Sequence, residues 1–154
     1  MSEMLGNQYF IARNYTAAET ELEKSLKEQP DNKHLKRKLI ICFTQTGKVT
    51  KALELFTSLI QEDIDFVINA DEVNDDCPCE EIVRNIEDKN SGEEIELDDI
   101  IVLGILWLYC DVEKSLSYFE DVYRNDSNID KINVCIRIIK DYINTQKSKT
   151  EIRL

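Results

Sequence analysis

The chain states one pattern twice. Leu5, Tyr9, Tyr15, Ala18, Leu22 and Leu26 are answered by Leu39, Phe43, Val49, Ala52, Phe56 and Ile60, each 34 positions later. A fixed period of this length marks a stack of supersecondary units, each of which buries its apolar face only against a neighbour. Two antiparallel helices make one unit. Small residues such as Gly6, Ala18 and Ala52 belong where helices cross and backbones approach, and large ones such as Tyr9, Phe43 and Phe56 fill the space between units. Gly47 supplies the small residue at the turn of the second copy.

A third copy follows an interruption. Leu103-Gly104-Ile105-Leu106-Trp107 restates Leu5-Gly6-Asn7-Gln8-Tyr9, and Ser115-x-x-x-Phe119 restates Ala18-x-x-x-Leu22. Its halves disagree by one position: Ser115 lies eight residues after Trp107, whereas Ala18 lies nine after Tyr9. Either the turn near Cys110-Asp111 is one residue short or the first-helix alignment is shifted; the short turn is the preferred reading.

The first copy, with Leu5, Gly6, Tyr9, Ala18 and Leu22 and with Pro30 closing the unit, resembles the tetratricopeptide repeat, whose pattern runs L-G-x-x-Y, A-x-x-x-F, P. The resemblance implies an all-α fold, a TPR-like helical-hairpin solenoid of three repeats with a degenerate acidic helical insertion and a C-terminal capping helix. The chain divides accordingly as a single domain over 1–154: repeats one and two over 1–62, the insertion over 63–95, repeat three over 96–125 and the cap over 127–147. In the cap, Ile129, Ile132, Ile136, Ile139 and Ile143 recur at three- and four-residue steps, with Lys131, Arg137 and Lys140 facing water. Seven or eight helices and no sheet are expected.

Composition agrees with one helical layer structure. A hydrophobic fraction of 42% suffices for a core, and four Gly and two Pro leave few breakers. Met1-Ser2-Glu3-Met4 does not read as a targeting signal. The longest apolar run, Ile100 to Leu108, has nine residues, where a membrane span needs ~20. A soluble, cytoplasmic protein is the expectation. Five cysteines without framework spacing suit free, mostly buried thiols in a reducing compartment. Cys77-Pro78-Cys79 is too weak a pattern, and His34 too solitary, to argue a metal site or any cofactor.

Charge is concentrated in the insertion. Residues 61–100 hold sixteen Asp or Glu against Arg84 and Lys89, a net of −14, while the whole chain carries −12. Nucleic acid and anionic membrane surfaces are disfavoured as partners, because their phosphates are repelled. The insertion is nevertheless patterned. Ile64, Phe66, Val67 and Ile68 extend the apolar stripe of the second repeat, and Pro78 opens an amphipathic helix over 78–88 carrying Ile82, Val83 and Ile86. Asn90 to Glu94 is the polar connector. The reading is a diverged helical hairpin with a solvated acidic face; the alternative is an acidic lid, or a docking surface for a basic partner.

The resemblance also places a groove. In this family the ligand lies along the inward face of the first helix of each repeat, which by register implies Asn7, Phe10 and Ile11 from the first copy. Arg37, Ile41, Thr44 and Gln45 follow from the second. The third contributes Ile101, Ile105 and Leu108, or Gly104 and Trp107 if its register shifts. These give an apolar groove with a basic edge at His34, Arg37 and Lys38. The carboxylate clamp that some members use on acidic chaperone tails fails here: Glu3, Asn7, Ile41 and the paired third-copy positions Ile100 and Gly104, or Ile101 and Ile105, match it only at Asn7. No Ser-His-Asp or Cys-His pairing and no Gly-rich phosphate loop points to an enzyme. The expected function is a protein–protein interaction adaptor holding a peptide or protein segment. Two rivals are a secretion-type chaperone with an unfolded apolar client, and a self-associating homo-oligomer subunit. The run 100–108, apolar around its whole circumference as a helix, must be covered on its inward face as well as its core face. The insertion, through Phe66, Ile82 and Ile86, a second subunit or a bound segment are the candidates for that cover.

Overall fold

The computed structural model describes residues 2–70, 78–90 and 94–153, the last four of them by backbone alone. Among these the chain forms eight helices and no strand: α1 (Ser2–Ile11), α2 (Tyr15–Glu28), α3 (Lys33–Gln45), α4 (Val49–Ile68), α5 (Cys79–Lys89), α6 (Leu97–Trp107), α7 (Val112–Asn125) and α8 (Asp130–Arg153). Helices α1 and α2, α3 and α4, and α6 and α7 pack pairwise as hairpins, and α2 packs on α3. The apolar stripe of α4 is covered by α6 and α8. The polar connector expected at 90–94 lies mostly outside the described residues, as does Cys77.

The 34-residue period is visible in the turns themselves. Arg13 (φ 62) and Gly47 (φ 78) are the left-handed residues that end α1 and α3. After each, the chain closes with the same bond, Asn14 N–H to Tyr9 C=O and Lys48 N–H to Phe43 C=O, both 2.9 Å. This is the αL helix stop, and at Gly47 it costs no Cβ strain. The third hairpin has no such residue. Its last turn tightens instead, with Tyr109 N–H on Leu106 C=O at 3.2 Å and Cys110 N–H on Trp107 C=O at 2.9 Å. Asp111 then reaches Trp107 C=O across four residues, where Asn14 spans five. The turn is therefore one residue short and the first-helix alignment stands. Asn14 and Asp111 both cap the helix that follows, accepting from Ala17 N and from Glu113 and Lys114 N.

Packing at the helix crossings repeats as well. A Cβ added at Gly6 would sit 2.9 Å from Leu22 Cδ2, and one at Gly104 would sit 2.9 Å from Phe119 Cε1. Ala18 and Ala52 are wholly buried, as is Ser115, whose hydroxyl donates to Gly104 C=O at 2.6 Å. Phe56 and Phe119 stack between units with centroids 5.8 Å apart. Each fully buried side chain of this size contributes about 1.5–3 kcal/mol. Helix α8 caps the far end through Ile132, Cys135 and Ile139, all with no exposure, while Lys131, Arg137 and Lys140 face water. It continues as helix to Arg153, past the expected cap boundary at 147, because no Gly or Pro interrupts it.

Helix α4 does not end near residue 62. Asp63 leaves helical geometry (φ −163, ψ 86), and its carboxylate caps a further turn by accepting from Phe66 N–H at 3.3 Å. Lys33 Nζ holds the same carboxylate at 3.0 Å. The kink swings Phe66 over the start of α3, where its ring meets the His34 ring at 4.9 Å and the Arg37 guanidinium at 4.3 Å.

Candidate functional site

Of the residues implied by the family groove, most are interior. Phe10, Arg37, Ile41, Ile101, Ile105 and Leu108 are buried, Asn7 is half-buried, and Ile11 and Gln45 are exposed. Phe10 lies under the Lys38 ammonium, 5.7 Å from its ring, and Lys38 also donates to Asn7 Oδ1 at 2.9 Å. Arg37 does not form a solvent-facing basic edge: it donates to Phe66 C=O at 2.9 Å, and its own C=O accepts from Tyr109 O–H at 3.1 Å. Burial first, and the neighbouring thiol of Cys42 besides, push the Tyr109 phenol far above its ordinary pKa, so it stays a donor there.

Part of the insertion packs on α6. Helix α5 starts at Pro78 and packs against α6 with Cys79 and Val83 fully buried and Ile82 nearly so. With α4 and α7 also against it, α6 is enclosed from Ile101 to Leu106, as its unbroken apolar circumference requires. One acidic side chain faces inward. Glu87 Oε1 accepts from Trp107 Nε1–H and from Tyr118 O–H, both at 3.0 Å. Burial, then the hydrogen bond to Glu87, push the Tyr118 hydroxyl up to about 12. Lys114 Nζ closes the far side of the indole at 4.2 Å from the ring. At the other end of α5, Glu81 approaches Arg13 at 4.0 Å between exposed side chains, a contact worth at most a few tenths of a kcal/mol.

An open apolar groove lies elsewhere, between α2 and α4. Leu26 and Pro30 line one wall, Leu55 the other, and Leu39 and Phe43 the floor, enclosing about 590 Å³. Glu23 and Lys27 border it on α2, Lys51 and Glu54 on α4, and Lys51 Nζ stands 5.8 Å above the Phe43 ring. Its volume lies within the range of ligand pockets, ~300–1,000 Å³. By register Phe43 belongs to the space between units, and Leu26 and Leu55 fall outside the family's contact positions. The available signal was Leu55 itself, a leucine outside the buried stripe of Ala52, Leu53, Phe56 and Leu59.

The cysteines depart from five free thiols. Cys79 is disulfide-bonded, whereas Cys42, Cys110 and Cys135 are not. No cluster of three or more metal-ligating side chains occurs among the described residues, and no helix there is long and apolar enough to cross a membrane. No protein-family model, curated protein or solved structure matches the chain.

Proposed function

We propose that this is a protein-interaction adaptor of the tetratricopeptide-repeat type, which holds an apolar-anchored segment of a partner protein in the groove between α2 and α4. The open groove carries the reading: leucine, proline and phenylalanine walls with two acids and two lysines along the edges suit a segment that buries two or three apolar side chains and orders its own charges outside. The 34-residue recurrence of the Ala18 and Ala52 crossings and of the stops at Arg13 and Gly47 supports the repeat architecture. A cytoplasmic setting is part of the proposal, as are a role without catalysis, metal or cofactor and a partner that is neither nucleic acid nor membrane.

Leu55→Glu places a carboxylate on the groove wall and leaves the buried stripe of α4 intact. A partner captured from native lysate by the unaltered chain should lose about 10-fold or more of its binding to this variant, in keeping with the loss of one apolar anchor. If the variant keeps its helicity and denaturation midpoint yet captures the same partners equally well, the groove is not the site. Self-association has one observation of its own: Met4, Leu5 and Ile11 stand 68%, 38% and 61% exposed on α1. Light scattering across a concentration series, with Ile11→Lys as control, decides it.

A further inference from the structure

Helix α5 is seated as a ligand is seated. It presents one apolar edge, Cys79, Ile82, Val83 and Ile86, to α6 and turns Glu81, Arg84 and Asp88 to solvent. Its single inward carboxylate, Glu87, lies eight positions after Cys79 and meets two neutral donors from two different helices, the Trp107 indole and the Tyr118 phenol. Two converging donors with the Lys114 ammonium behind the indole form a carboxylate receptor at the edge of an apolar face. Helix α5 lies outside the three hairpins. It packs principally on α6, its approach to Arg13 is at 4.0 Å, and the stretch from 61 to 100 that carries it has a net charge of −14.

We infer that the surface formed by Trp107 of α6 and Tyr118 of α7 is a second recognition surface, specific for an amphipathic helix with apolar residues at i, i+3, i+4 and i+7 and a glutamate at i+8, and that α5 occupies it in cis until a partner helix of that pattern displaces it. The surface is separate from the α2–α4 groove, and the inference does not depend on that groove being used. Specificity comes from the carboxylate: a helix with the same apolar edge and no acid at i+8 leaves the two donors unpaired beneath it.

Hydrogen exchange on the unaltered full-length chain tests whether α5 is a separable unit. Its amides should exchange as a block about 100-fold faster than those of α6, and Glu87→Ala should speed that opening about 10-fold further without changing α6. If α5 is protected as strongly as α6, it is a core helix and the inference is wrong. Binding tests the surface. A fluorescent peptide of residues 78–90 carrying Cys79→Ala should bind full-length Ile82→Asp, whose own α5 is released, about 10-fold more tightly than the unaltered chain. A peptide with Glu87→Ala added should lose about 5-fold. A helical Ile82→Asp chain that does not bind the peptide overturns the inference, and so does one that dimerises and excludes it, since the face then serves a second copy. Should Ile82→Asp fail to fold, the exchange result on the unaltered chain decides alone.

Discussion

Two glycines at the same repeat position should answer differently to alanine. In α1 the new Cβ at Gly6 would meet Leu22 Cδ2 and Cγ at 2.9 and 3.0 Å, one methyl and the branch point of a side chain that is buried but can rotate. In α6 the Cβ at Gly104 would meet Phe119 Cε1, Cδ1 and Cζ at 2.9 to 3.0 Å, one edge of a rigid ring. That ring has no exposure and is backed by Phe56, so it has nowhere to withdraw. Gly→Ala inside a helix gains about 0.8–1 kcal/mol of propensity, and overpacking a filled core costs about 1–3 kcal/mol. At Gly6 a small rotation of Leu22 absorbs most of the second cost, leaving a net change near zero. At Gly104 the upper part of the range applies, for a net loss of about 1–2 kcal/mol. Urea denaturation followed by helical circular dichroism reads this directly. With a slope near 2 kcal/mol/M, the Gly104→Ala midpoint should fall by roughly 0.5–1 M while that of Gly6→Ala barely moves. Adding Phe119→Leu to Gly104→Ala should recover part of the loss, giving a coupling of about 1 kcal/mol in the double-mutant cycle. Equal midpoints for the two alanine variants, or no coupling to Phe119, would refute the account of a rigid ring against a flexible side chain.

Ser25 is buried with a hydroxyl that has no partner among the described residues, so Ser25→Ala should raise stability by about 1 kcal/mol in the same urea assay; a loss would mean the hydroxyl is satisfied in solution. The hydrogen bond from Lys33 holds the Asp63 carboxyl below its ordinary value. That ion pair therefore contributes fully above the unfolded pKa of about 3.9, and its contribution is lost as the pH falls through the lower folded value. Lys33→Met should accordingly flatten stability against pH below about 4 and leave the slope above pH 5 unchanged. Burial, then the nearby Glu19 carboxylate, push the Cys42 thiol up to about 12, and burial pushes Cys135 to about 11. Of the thiols of Cys42, Cys110 and Cys135, that of Cys110 should react with a thiol reagent in the native protein at pH 8, and the other two only at the rate of unfolding; rapid native labelling of Cys42 would show that α3 opens locally.

What could be read from residue order alone was whatever depends on near neighbours. The crossings at Gly6, Ala18, Ala52 and Gly104, the stop at Gly47, the start of α5 at Pro78 and the isoleucine stripe of α8 are written in spacings of a few residues or one period, and the structure has each where the spacing puts it. The missing residue near Cys110 was legible too, because a one-residue deficit leaves only a tightened turn or a shifted helix. Tertiary structure alone decided which face stays open. Arg37 looked like a groove-edge cation until the kink at Asp63, just past the last repeat position at Ile60, carried the Phe66 carbonyl and ring onto it. Ile101, Ile105 and Leu108 fit the family's contact positions in register, yet they are interior, because α4, α5 and α7 all pack against α6. Leu26 and Leu55 sit on helices whose inward stripes were plain, but the groove between them exists only because α2 and α4 stand apart over Leu39 and Phe43. Periodicity assigns a residue to a side of its helix; whether that side meets water, a neighbouring helix or a partner is set by segments distant in sequence, whose closure is driven by apolar area and not by local pattern.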